Sequence, residues 1–134
     1  MSGFGYNVNG FGAFPNRQPP YLIDILVVGG GGGGGSSYTC GGGGGAGGLQ
    51  TLSQISPALN TDYTVTVGAG SAGRLNFNGA LTASDSSISG TGITTTTGNG
   101  GGGGGAEDQD NSNADGGCGG GEGVNQDNSG SGGT

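Results

Sequence analysis

Three uninterrupted glycine runs, 29–35, 41–45 and 100–105, dominate this chain, and the first follows directly on a strand-like segment. A glycine run has no side chain to bury and loses more backbone entropy on ordering than any other sequence. Something must therefore hold it. The polyproline-II helix offers one solution, with three residues per turn, a rise of about 3.1 Å and every N–H and C=O free for a neighbour. A run of seven would span roughly 22 Å in that form. Without Cβ atoms such helices can pack side by side and bond through their backbones. On composition alone, the competing state is a disordered glycine-rich tract.

Forty of the 134 residues are glycine, and Leu, Ile, Val and Phe together supply only 22. That is about 16%, below the roughly 20% under which ordinary cores become unattainable. Charge is equally scarce, with Arg17 and Arg74 against nine carboxylates and no lysine or histidine. Disordered chains usually offset low hydrophobicity with many charges, and this one does not. The net charge of −7 argues against nucleic acid and anionic membrane as partners, since both need clustered Lys or Arg. No apolar stretch reaches the length of a membrane span, so no membrane insertion is expected. Met1-Ser2-Gly3-Phe4-Gly5 lacks a signal-peptide pattern, which leaves release by lysis as a route out of a cell.

Three zones follow from composition. Residues 1–20 form an amino-terminal arm carrying Phe4, Tyr6, Phe11 and Phe14 and ending in Pro15, Pro19 and Pro20. It either ties the subunit to a neighbour or covers its own domain. Residues 21–106 form a glycine-rich domain, and residues 107–134 an acidic glycine-rich tail. The tail has too few apolar side chains for a core and must pack as polyglycine or remain mobile.

Within the domain, residues 21–28 are apolar on both faces apart from Asp24 and predict a buried or interior strand. A second strand is expected over residues 48–53, followed by a turn at 57–60. Residues 62–67 alternate, which predicts a half-buried strand with Tyr63, Val65 and Val67 on one face. Gly68-Ala69-Gly70 is its stop signal. Residues 86–88 and 92–97 supply two short β segments. The expected fold is mainly β with little or no α-helix: a small β scaffold with glycine-rich loops packed as polyglycine-II helices.

Chemistry is tested by absence. Without histidine or lysine, the usual acid–base and triad arrangements are unavailable. The run from Gly29 satisfies G-x-G-x-x-G trivially but precedes no amphipathic helix, and a P-loop needs a lysine. The carboxylates cluster in the tail without aromatics to hold a sugar. The sequence therefore reads as no enzyme, with no cofactor. Asp108, Asp110 and Asp115 offer oxygen ligands of the kind Ca²⁺ accepts, but the EF-hand pattern fails at Asn113 and Gly119. A solvated acidic loop is the alternative. Cys40 and Cys118 are either a disulfide joining two glycine runs or free thiols.

The blocks 21–35, 41–49, Tyr63-Thr64-Val65-Thr66-Val67-Gly68-Ala69-Gly70, 84–88 and 93–94 before the run at 100–105 resemble, in order and spacing, the glycine-rich domain of bacteriophage tail fibres and other virion proteins. The resemblance covers about residues 21–106. It implies a β scaffold from which glycine-rich loops emerge as a polyglycine-II bundle, similar to bundles at the tips of phage receptor-binding adhesins. The expected role is a non-enzymatic structural protein of a phage particle, in the virion tail near the host-contact surface. Expected partners are copies of itself, other virion proteins and a host-surface receptor. Tyr38, Tyr63 and Phe77 are candidate receptor contacts, or else small-core residues. The alternative is a self-assembling extracellular filament or sheath subunit, in which backbone groups left free by polyglycine-II bond to other copies. An ice-binding bundle ranks last, since Thr94 to Thr97 is the only threonine cluster and the glycines lack a strict three-residue period.

Overall fold

The computed structural model describes residues 21–37, 40–75, 80–106 and 115–123. The described residues contain five strands and no helix. No helix among them is long and apolar enough to cross a membrane. Strand β1 (Ile23–Val28) pairs antiparallel with β2 (Leu49–Ile55) as one sheet. Strands β3 (Tyr63–Thr66), β4 (Ser86–Gly90) and β5 (Ile93–Gly98) form a second antiparallel sheet in that order. The mainly β fold expected from the sequence is the fold observed.

Each strand pair continues into glycine-rich backbone. Val28 faces Leu49 in the β1–β2 ladder. One residue on, the Gly29 N–H donates to the Gly48 carbonyl at 2.9 Å, and Gly32 and Gly35 then donate to Gly45 and Gly42. The three-residue step is the repeat of a polyproline-II helix, whose groups point outward to neighbours in turn. Residues 29–35 (segment A) thus run out from β1, and residues 41–48 (segment B) return to β2. The second hairpin is built alike. From β3, residues 69–74 (segment C) run out and residues 80–84 (segment D) return to β4, with Ser84 N–H bonded to the Ala69 carbonyl at 3.0 Å. Residues 99–105 (segment E) leave β5 in the same direction as A, since Gly101 and Gly104 donate to Gly30 and Gly33.

A sixth segment, F (residues 116–121), lies parallel to E. Gly102 and Gly105 donate to Cys118 and Gly121, while Gly117 donates to Gly100. Part of the acidic tail therefore packs as polyglycine. Segment E bonds to A, B, D and F and forms the centre of the bundle. Residues 100–106 are buried throughout, and Ala106 is fully so.

The glycines are needed for the missing Cβ. Among the described residues, Gly92 alone has a glycine φ in the left-handed region, in the turn between β4 and β5. In segment A, a Cβ on Gly32 or Gly35 would overlap carbonyls of segment E, and one on Gly33 would overlap Ala72 of segment C. On Gly31 it would meet nothing within 4 Å. In segment B the open positions are Gly43 and residue 46, and residue 46 is alanine. In segments A and B, two positions of every three face neighbours and the third faces out.

Two expectations are corrected. Strand β3 was read as half-buried, but only Tyr63 is. Val65 and Val67 are 64% and 83% exposed. Strand β1 was read as interior, yet Val27 is its only buried residue, while Leu26 is 60% exposed. The cause is topological: β1 has one partner strand and β3 lies at a sheet edge, so two such small sheets cannot cover both faces. Asp24, the polar exception in β1, is also explained. Its Oδ1 accepts the N–H of Gln54 at 2.8 Å, where the register shifts and Gln54 has φ of 54°.

Candidate functional site

The strands occupy one end of the bundle, and the chain turns back at the other. Segment A ends where Gly35 donates to Gly42, the second residue of segment B. Segment C ends where Arg74 donates to Gly34, and segment D begins where Ala80 donates to Gly104. Gly104 in turn donates to Gly33, so these residues stand at one level. Ser36 and Leu75 therefore leave the bundle from the same, distal end. Arg74 is exposed there and Leu75 is 77% exposed.

This end is held by backbone bonding to the central segment. Gly101, Gly102, Gly104 and Gly105 each donate one N–H and accept at one carbonyl within the bundle, at 2.7–2.9 Å. One such bond per residue contributes about 0.5–1.5 kcal/mol net, against about 1–2 kcal/mol of backbone entropy. The segments are near break-even by themselves, so the strands that set their register are what make the distal end a defined surface.

Tyr38 and Phe77 lie outside the described residues, but their flanks, Ser37 and Cys40 on one side and Leu75 and Ala80 on the other, bring both connections to the distal end. Tyr63 does not join them. It sits in β3 at the scaffold end, where its hydroxyl accepts the Ala58 N–H at 2.7 Å and donates to the Thr91 carbonyl at 3.0 Å. Its ring lies over Gly90, where a Cβ would strike it. These contacts make Tyr63 a structural pin of the second sheet.

Phe4, Tyr6, Phe11 and Phe14, like Asp108 and Asp110, lie outside the described residues. Asp115 is exposed, and its carbonyl accepts from Thr82 Oγ1 at 3.4 Å. No group of three metal-ligating side chains occurs among the described residues. Cys40 and Cys118 are free and exposed, not joined as a disulfide. The register explains why. Cys118 donates to Ala46 and Gly121 to Gly43, so Cys40 lies two turns further along. That is roughly 19 Å at the polyproline-II rise, against the 4.4–6.8 Å that a disulfide spans between Cα atoms.

Sequence reading missed segments C and D, which carry Arg74 and Leu75 to the distal end. Their signal was present at low amplitude. Gly70 and Gly73 are three apart, as are Ala80 and Ala83, matching the helical repeat.

A β scaffold that projects six hydrogen-bonded extended segments, four of them built mainly of glycine, defines a glycine-rich bundle protein. The chain matches the family described as a glycine-rich domain over residues 11–134 and belongs to that family. No curated protein and no solved structure matches it significantly.

Proposed function

We propose that this chain is a non-enzymatic structural protein of a phage particle, tail-fibre or adhesin-like, oligomeric and placed near the host-contact surface. The observation that carries this reading is that segments A and C end, and segments B and D begin, together at the distal end, where Gly35 donates to Gly42, Arg74 to Gly34 and Ala80 to Gly104. A surface of this kind can change its loop residues freely, because the spacing constraint falls on the glycines beneath. The resemblance of residues 21–106 to virion glycine-rich domains points the same way. Tyr38 and Phe77 are the side chains that would meet a receptor, with Arg74 and Leu75 beside them. Copies of the chain and other virion proteins are the assembly partners, and no catalytic step, nucleic acid or cofactor is involved.

The test is binding of the fluorescently labelled full chain to intact cells from a panel of bacterial species. It is paired with the double variant Tyr38→Ser, Phe77→Ser, whose circular dichroism should be unchanged. At least tenfold weaker binding by the variant is expected. Equal binding by both proteins, or none to any species, would overturn the distal-contact reading. A second reading, an extracellular filament subunit outside a virion, is favoured by the exposed apolar strands β1 and β3. Antibody labelling of purified particles separates the two.

A further inference from the structure

The apolar surface left open by β1 and β3 is one continuous groove. Leu26 and Val28 of β1, Val65 of β3, Val67 just after that strand and Ile88 of β4 line it together. Its volume is about 270 Å³ and no charged residue lines it. Leu26, Val28, Val65 and Val67 are each between 46% and 83% exposed. Apolar side chains held together in this way are costly to leave in water, at about 25 cal/mol per Å².

The chain carries a matching occupant. The 18 residues before Pro19-Pro20 contain Phe4, Tyr6, Phe11 and Phe14, half of the chain's aromatic residues, and a single charged side chain, Arg17. Aromatic side chains bury about 150–250 Å² each, so they gain most from an open apolar groove. The segment enters β1 at its Ile23 end, whereas the groove lies along residues 25–28 of that strand. The junction at Tyr21 is therefore close to one end of the groove. Fully extended, it reaches about 60 Å, which is long enough to bridge to a second copy.

We infer that the groove between β1 and β3 is the docking site for the aromatic amino-terminal segment, residues 1–18, of a second copy of this chain. Each copy then offers one arm and one groove, a head-to-tail arrangement that closes into a ring or extends as a fibre. This rests on the oligomeric part of the function proposed above and specifies how the copies join.

The experiment places a benzophenone side chain at position 11 of the full-length protein. Isotope-labelled and unlabelled copies are mixed, irradiated and mapped by mass spectrometry, alongside light scattering. The expected result is a mass that is a multiple of 12.5 kDa and mixed-isotope cross-links to residues 25–28 and 65–67. Val67→Asp, at a residue already 83% exposed, should weaken association at least tenfold without changing circular dichroism. Cross-links confined to single chains or mapped elsewhere, or assembly indifferent to Val67→Asp, would overturn the docking site and leave oligomerisation standing. A 12.5 kDa monomer at every concentration would overturn both.

Discussion

Asp85 reaches from the foot of β4 to the start of the central glycine segment, where its Oδ1 accepts the N–H of Gly100 at 2.8 Å. Its neighbours make similar ties. The Ser84 carbonyl accepts from Gly30 at 3.0 Å, and the Ser86 hydroxyl oxygen accepts from Gly68 at 2.9 Å. Three consecutive residues thereby fix segments A, C and E to one sheet.

Removing the Asp85 acceptor should loosen the register of segment E. A hydrogen bond to a charged group contributes about 1.5–3 kcal/mol, reduced where water can replace the partner. Asp85→Ala is expected to cost about 1–2 kcal/mol in urea unfolding, and Asp85→Asn less, because an amide oxygen can still accept. Equal losses for both would show that the acceptor is not what matters.

Tyr63→Phe keeps the ring over Gly90 and deletes only the hydroxyl. The Ala58 N–H and Thr91 carbonyl then lose their partner. A loss of about 1–3 kcal/mol is expected, the usual cost of stranding a polar group that is partly shielded. Thermal unfolding measures it. A melting temperature equal to that of the parent protein would mean that water fills the role, and the phenol would not be a structural pin.

Strands were legible in the sequence because β-branched residues and stop signals mark them locally. Strands 63–66 and 93–98 fall within or beside the segments 62–67 and 92–97 expected from alternation and from the threonine run, and strands 49–55 and 86–90 overlap those expected over 48–53 and 86–88. Burial was not legible, because it depends on which strands become neighbours. Val65 and Val67 alternate as a half-buried strand should, yet nothing among the described residues covers them. Segments C and D escaped notice for a related reason. They lie at the bundle's edge, where only the inward positions must be small, so Ser71, Arg74, Leu81 and Thr82 interrupt the glycine signal. The distal end was legible only as a list of aromatics. It took the hydrogen-bond register to show that the described residues before Tyr38 and Phe77, Ser36 and Leu75, leave the bundle at one end while Tyr63 stands at the other.

The two cysteines should behave independently. Both are exposed, so a thiol-specific reagent is expected to titrate two thiols per native chain without denaturant. Mild oxidation of dilute protein should leave the intramolecular bond unformed, because closing it would need a shift of roughly two helical turns. A fast intramolecular cross-link, seen as a two-dalton loss at constant mass class, would mean that the register of segments B and F is wrong.

The sharpest test of the bundle compares two adjacent glycines. Gly31 and Gly32 have the same sequence surroundings, and neither has a left-handed φ. A propensity argument gives alanine the same effect at both. Packing does not. At Gly32 a Cβ would overlap the carbonyl of Gly102 in the buried central segment, and that obstacle is backbone, unable to rotate aside. At Gly31 it would enter open space, while the Gly31 carbonyl still accepts from Ser71 at 2.9 Å. Gly32→Ala should therefore cost about 1–3 kcal/mol or more, as overpacking of a filled interior does. Gly31→Ala should be neutral or stabilising by about 0.4–1 kcal/mol, because alanine restricts the unfolded chain. Urea unfolding of the two single variants decides it. Equal stabilities would mean that segments A and E do not pack at the observed distance. The predicted split would establish the three-residue rule that separates packed from outward positions, and with it the positions where side chains can be changed freely.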